Sequence, residues 1–421
     1  MSVPATATGV VEPGAAPKTR RRLPRWWFAA ALAIALLGLS LLEVVTGAHD
    51  LTSRGTIAAT LIATVPIMLA GLGGLWSERA GVVNIGLEGM MILGTWGAGY
   101  FGYHYGPWAG VAGAIMMGML GGLLHATATV IFGVDHIISG VAINIIALGA
   151  VQYLASLTFV GLPGGGQTQS PKIEDVPTIT ITPVADALVK IDDKDIFFVS
   201  PLAATLHALV SNLSLLVVIA LLLLAGTYWV LWRTSFGLRL RACGESPSAA
   251  ESLGVHVLRY KFAAVLMSGA LAGLAGGFLA MVASSNYRDG QTGGRGYIGL
   301  AAMIFGNWRP GGLLAGAGLF AYTETLGLRG GDSVHALLLA LAVLAIAAAI
   351  WQARQQQQRA AVITGIVAIG LGALYFLIDD VPSDFNTMTP YLVTLLVLTF
   401  ASQRLRMPAA DGQIYRKGSA G

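Results

Sequence analysis

Residues 76–92 read Trp76-Ser-Glu-Arg-Ala-Gly-Val-Val-Asn-Ile-Gly-Leu-Glu-Gly-Met-Met-Ile92, with Glu78, Arg79, Asn84 and Glu88 set among Gly81, Gly86 and Gly89. Apolar runs of membrane-spanning character lie on both sides. Ionisable groups at the edge of hydrocarbon are costly and persist where they serve a purpose. Two readings stand. One is a solvated loop between two helices. The other is the mouth of a broken helix that lines a path through the membrane.

The surrounding chain has 421 residues, 55% of them hydrophobic and 11% charged, against roughly 25% charged in a soluble domain. That composition predicts an all-α polytopic membrane protein with roughly 10–12 transmembrane helices. The 55 glycines suit helices that pack closely in lipid. The net charge of +4 comes mostly from basic residues at the ends of apolar runs, where they set orientation; no nucleic-acid partner is implied. Cys243 is the single cysteine, so an intrachain disulfide is impossible, and it reads as an inert thiol.

Outward from the opening stretch, residues 1–25 read as a disordered cytoplasmic tail ending in an arginine cluster. A transmembrane core follows over 26–351. Its first span, 28–42, lies behind Trp26 and Trp27; a cleaved signal peptide is the alternative. Further spans are expected at 56–75, 87–101, 111–132, 135–159, 213–231, 262–282, 313–326 and 334–351. The apolar run 298–307 is too short to cross and reads as a broken or re-entrant helix. Residues 352–403 add extra C-terminal membrane segments at 361–378 and 390–400, and 404–421 form a cytoplasmic tail. The loop 161–201, where acids outnumber bases, reads as extracytoplasmic, with short strands in 178–182. The basic segment 233–261 reads as cytoplasmic, with a short helix N-capped by Ser246 and stopped by Gly254. Both termini then face the cytoplasm of a multi-pass plasma-membrane protein.

Other features carry less. His136 is either a polar helix start or a proton carrier. Asp192, Asp193 and Asp195 lack the spacing of a calcium loop and read as solvated acids. Neither a metal site nor a catalytic constellation is expected. Gly269, Gly273 and Gly277, four apart, predict tight helix packing. The glycine-rich loop 286–296 lacks the context of a phosphate site. The hexapeptide Ile85-Gly-Leu-Glu-Gly-Met90 is echoed by Ile298-Gly-Leu-Ala-Ala-Met303 at four of six places, which points to an inverted repeat.

Four motifs now carry a resemblance. They are Ser77 to Met91, Ile138-Ser-Gly-Val-Ala-Ile-Asn144, Gly244-Glu-Ser-Pro-Ser-Ala-Ala-Glu-Ser-Leu-Gly254, and Thr292 to Ala302 with Gly306-Asn-Trp-Arg-Pro310. In this order they resemble the ABC-transporter permeases for simple sugars, nucleosides and branched-chain amino acids, and the first looks closest to the nucleoside branch. The resemblance covers roughly residues 57–344.

It implies a permease subunit that moves solute inward by alternating access. The expected partners are an ABC ATP-binding subunit, a second permease subunit (paralogue or copy), an extracytoplasmic solute-binding protein and the lipid bilayer. No glycine precedes a lysine in the chain, so a P-loop is excluded and ATP is used by the partner; this chain binds no cofactor. Asn84, Glu88 and Asn144 are the pathway candidates, since a neutral solute needs hydrogen-bond groups on an apolar wall. Glu88 has a structural alternative, pairing with Arg79 or capping the third span. Glu245, Ala249, Ala250 and Glu251 are the candidates for coupling to the ATPase, small residues permitting close approach and acids pairing with basic groups. Permeases for sugars or branched-chain amino acids, and an ion-coupled secondary transporter, are the alternatives.

Overall fold

The computed structural model describes residues 27–378, 405–416 and 418. The expected segments 1–25 and 390–400 lie outside the described residues. The chain runs through fifteen helices among those residues: α1 Trp27–Thr46, α2 Arg54–Arg79, α3 Leu87–Tyr105, α4 Pro107–Ile131, α5 His136–Thr158, α6 Thr182–Asp192, α7 Val199–Ala208, α8 Leu215–Arg233, α9 Ser235–Glu245, α10 Pro247–Ser252, α11 Val257–Ala283, α12 Arg295–Phe305, α13 Pro310–Arg329, α14 Gly331–Arg354 and α15 Gln358–Leu377. α4 and α11 each close on a π-helical turn. The two-residue strands β1 Thr178–Ile179 and β2 Leu213–Ser214 pair antiparallel. Seven of these helices are long and apolar enough to cross a membrane: α2, α4, α5, α8, α11, α14 and α15. The protein is therefore a multi-pass, all-α membrane protein.

Helix ends follow local chemistry. Asp135 caps α5, its carboxylate accepting from the amides of Ile137 and Ile138 at 2.9 and 3.0 Å. Pro107, Pro247 and Pro310 open α4, α10 and α13, where a missing N–H costs nothing. Ser246 stands at the N-cap of α10 as expected, but its side chain makes no capping bond; Pro247 leaves one amide fewer to satisfy. Gly254 follows α10 with φ of +80°, a left-handed turn suited to glycine.

α2, α3, α4 and α11 form the core. The expected tight packing of α11 is present. A Cβ on Gly273 would lie 2.3 Å from the Ala114 carbonyl oxygen and 2.7 Å from Gly118 Cα, and one on Gly94 would lie 2.6 Å from Gly273 Cα. Three helix backbones thus meet at one point, with no room for a methyl group. Contacts pair Gly73 with Ser268 and Gly81 with Lys261, so α2 and α11 run antiparallel. Each long helix is followed by a non-helical stretch (80–86 and 284–294) and then a second helix, α3 or α12. Ile85-Gly86 leads into α3, whereas its echo lies inside α12.

The loop 161–201 is less open than its composition suggests. α6 occupies much of it, and Asp192 and Asp193 pair with Arg54 at 2.7 and 2.8 Å. Of the expected strand 178–182, only β1 forms.

Candidate functional site

The non-helical stretch 80–86 sits inside the protein, and its backbone polar groups are met by side chains from four helices. Such backbone is tolerated at membrane depth only when the protein satisfies it. The Gly81 carbonyl accepts from Lys261 Nζ at 3.1 Å. The Val82 carbonyl accepts from Ser77 Oγ at 2.5 Å. The Val83 amide donates to His136 Nδ1 at 3.3 Å, and its carbonyl bonds His125 Nε2 at 3.0 Å. An accepting carbonyl puts the His125 ring proton on Nε2, leaving Nδ1 to accept from Ser139 Oγ at 2.9 Å. His136 is thus a structural acceptor at the start of α5.

The three pathway candidates gather at this stretch and at the start of α3. Asn84 is fully buried. Its Nδ2 donates to Ser268 Oγ at 2.8 Å, and its Oδ1 accepts from the Gly86 amide at 3.0 Å. Asn144 is half-buried. Its Oδ1 accepts from the Gly89 amide at 2.7 Å, while Nδ2 donates to the Ile85 carbonyl at 3.1 Å and to Tyr297 Oη at 2.8 Å. Glu88 is buried, and its carboxylate accepts from the amides of Gly294 at 2.9 Å and Gly296 at 2.7 Å. It neither pairs with Arg79 nor caps its own helix. It caps α12, whose first amides form an anion site. Gly296 is needed there, since a Cβ would lie 2.6 Å from Glu88 Cα. Tyr297, 46% exposed, was missed from sequence; it stands beside Asn144 at the open edge of the cluster.

A second cluster closes the end of α2. Glu78 accepts from Trp308 Nε1 at 2.5 Å. Arg79 donates through Nε and Nη2 to the Trp308 carbonyl at 3.1 and 2.7 Å, and lies 3.9 Å from the Glu245 carboxylate. Gly244 presses on this turn, a Cβ there falling 2.4 Å from the Arg79 carbonyl oxygen. All four sequence motifs therefore meet on residues 76–92. Of the coupling candidates, Ala249 and Glu245 are exposed, while Glu251 is partly exposed. Ala250 is turned inward, packed with Cys243 and Val257. Small size there serves the interior of the protein.

Asp411 enters the same cluster from the described C-terminal stretch 405–416. It is 8% exposed, and the Glu78 carboxyl faces it. Two carboxyls in contact need a proton between them. Burial pushes the Asp411 carboxyl up to about 7, against its hydrogen bonds to Glu78 and the Gly412 amide and the pull of Lys261 and Arg79. The seated form therefore holds a proton that a released carboxyl, with an ordinary value of 3.8, gives up. Seating is strongest below 3.8, weakens as pH rises through the window to about 7, and is flat above it. Cys243, fully buried with Tyr415 packed against it, reports on this. Its labelling by a methanethiosulfonate, relative to the same rate in Asp411→Asn, should rise several-fold from pH 5 to 7.5. A flat ratio would count against the buried acid pair.

Among known proteins, residues 56–348 match the model of the family described as branched-chain amino acid transport system / permease component. The chain is similar to the guanosine ABC transporter permease protein NupQ of Bacillus subtilis, 32% identical with 86% of this chain and 96% of that protein covered. It is as similar to the nucleoside ABC transporter permease protein NupC of Lactococcus lactis, at 32% with the same coverage. The putative glucose ABC transporter permease protein TsgC13 of Haloferax volcanii is also 32% identical, with 87% and 98% covered. No solved structure matches the chain.

Proposed function

The chain belongs to the branched-chain amino acid transport system / permease component family and is a permease subunit of an ABC transporter; from that premise we propose that it carries nucleosides inward across the plasma membrane. The observation that carries the substrate is the similarity to guanosine and nucleoside permeases over nearly their full length. The site agrees in chemistry. Glu88 is spent on two backbone amides, so the open edge presents the neutral Asn144 and Tyr297. Apolar side chains of α5 at Ile138, Val141 and Ile145 stand exposed around Asn144. Neutral hydrogen-bond groups on an apolar wall suit an uncharged, ring-bearing solute. Glucose is the second reading, favoured by the similarity to TsgC13.

In this reading an ATP-binding subunit docks at 233–261, a second permease subunit completes the path, and a solute-binding protein delivers from outside. Both chain ends face the cytoplasm. The assignment is tested by uptake of labelled guanosine, glucose and leucine in cells with and without this chain. Loss of guanosine uptake alone is expected. Loss of glucose uptake alone would replace the substrate, and no loss for any solute would remove the transport role.

Docking is tested at Ala249. A bulky ring there projects from the surface of α10 without touching the interior. Ala249→Trp should cut uptake at least tenfold while leaving membrane insertion intact; normal uptake would move the docking site elsewhere. Ala250→Trp is the wrong probe, because it overfills the contact with Cys243 and Val257.

A further inference from the structure

Residues 404–421 read as a cytoplasmic tail in sequence, and the described part of it, 405–416, is fastened to the cluster at the end of α2 at several points. The Arg406 amide donates to Asn307 Oδ1 at 2.8 Å. The Ala409 amide donates to Glu245 Oε2 at 3.3 Å, and the Ala410 amide to the Gly244 carbonyl at 2.9 Å. The Ala410 carbonyl oxygen comes within 3.1 Å of where a Gly81 Cβ would stand. Asp411 is sunk against Glu78, and Gly412 lies against Val83. Between this stretch and the start of α10 lies a cleft of about 270 Å³, lined by Glu245, Ser246 and Ser248 on one side and Ala409, Gln413 and Tyr415 on the other.

We propose that residues 405–416 are a coupling strap: they form the second wall of the cleft that receives the ATP-binding subunit, and they link that cleft to the non-helical stretch 80–86. The inference rests on the permease reading above, since one wall of the cleft is the docking helix α10. The occupant is a basic segment of the ATP-binding subunit. The carboxylates of Glu245 and Glu251 stand at and beside the cleft, and Leu253, 84% exposed at the end of α10, offers an apolar anchor. The mechanical link comes from the contacts. A push on the strap at Ala409 or Ala410 is felt at Gly81 and Val83. Gly81 holds φ of +82° in a space bounded by Ala410, Gly244 and Lys261, so it has no slack to absorb the push. Val83 directly precedes Asn84, which ties the stretch to α11.

The experiment uses the full complex with its ATP-binding subunit in membranes. Deleting 409–421, or placing an ammonium beside Lys261 and Arg79 with Asp411→Lys, should lower uptake at least tenfold and abolish stimulation of ATP hydrolysis by solute. Uptake within twofold of the parent in both variants would overturn the strap. Because deletion can unfold the cytoplasmic face, a second variant closes the cleft in an intact chain. Ser248→Cys with Gln413→Cys, in a Cys243→Ser background, is bridged by a bifunctional methanethiosulfonate. Bridging should stop uptake and reduce copurification of the ATP-binding subunit, and a reducing agent should restore both. Unchanged uptake in the bridged protein would overturn the proposal. A parent complex that assembles yet moves no solute would overturn the permease reading and the strap with it.

Discussion

Glu88→Ala should abolish uptake and leave a protein that no longer holds α12 in place. The carboxylate is the partner of two amides, Gly294 and Gly296, at 2.9 and 2.7 Å. Its removal leaves both without that acceptor, the Gly296 amide buried and the Gly294 amide partly buried. A buried donor stranded in this way costs about 1–3 kcal/mol, so the pair removes a sizeable part of the about 5–15 kcal/mol that holds an ordinary domain. The loss of negative charge at the helix N-terminus adds about 0.3–1 kcal/mol more.

Glu88→Gln separates this role from a role in the path. Its amide oxygen accepts from one of the two glycines, while its NH2 faces the other, so stability should fall by less than in Glu88→Ala and part of the uptake should survive. Thermal melting of the detergent-solubilised protein, read beside uptake, checks the order. A Gln variant that melts like the parent but is dead in uptake would return Glu88 to the path as a charge. An Ala variant with parental melting and uptake would remove the capping role.

What could be read from the chain alone was whatever is written in consecutive residues. Apolar runs bounded by charge placed the long helices, and α12 was visible because 298–307 is too short to cross. Gly269, Gly273 and Gly277 announced a helix contact because their spacing is the contact. Pairings across the chain left no such trace. Glu88 and Gly294 are 206 residues apart, and Arg79, nine residues before Glu88, looked the nearer partner. Arg79 instead donates to the Trp308 carbonyl, a backbone acceptor that every residue carries and no motif marks. Asp411 was invisible for a related reason. A single acid between Ala410 and Gly412 looks like any polar tail, and only its burial against Glu78 gives it a role. α6 was hidden by Thr178 to Thr182, a β-branched run that argues for strand until Pro183 starts a helix. Ala249 and Ala250 are identical in sequence and differ only in which way the short α10 turns them.

The contact that the spacing did announce also sets the other large effect. Gly273→Leu should prevent assembly of the core, leaving little monodisperse protein on extraction and no uptake. The argument lies in what the new side chain would meet. At Gly273 the first carbon would already sit 2.3 Å from the Ala114 carbonyl oxygen and 2.7 Å from Gly118 Cα. Both are backbone atoms of α4, so no rotamer change relieves the clash, and α4 must move off α11 as a body. Gly94 of α3 closes the opposite side, its own added Cβ falling 2.2 Å from the Gly273 carbonyl oxygen. In lipid the helices have no hydrophobic effect to press them together and hold by close packing, so separation removes the attraction itself. Gly273→Ala should therefore cost at least the about 1–3 kcal/mol of overpacking, and leucine more than the contact can bear. Gly226→Ala in α8 is the control, with nothing within 4 Å of the added methyl; its melting temperature should match the parent. If Gly273→Leu extracts, melts and transports as the control does, then α3, α4 and α11 do not meet at Gly273, and the placement of Asn84, which reaches α11 through Ser268 five residues earlier, falls with it.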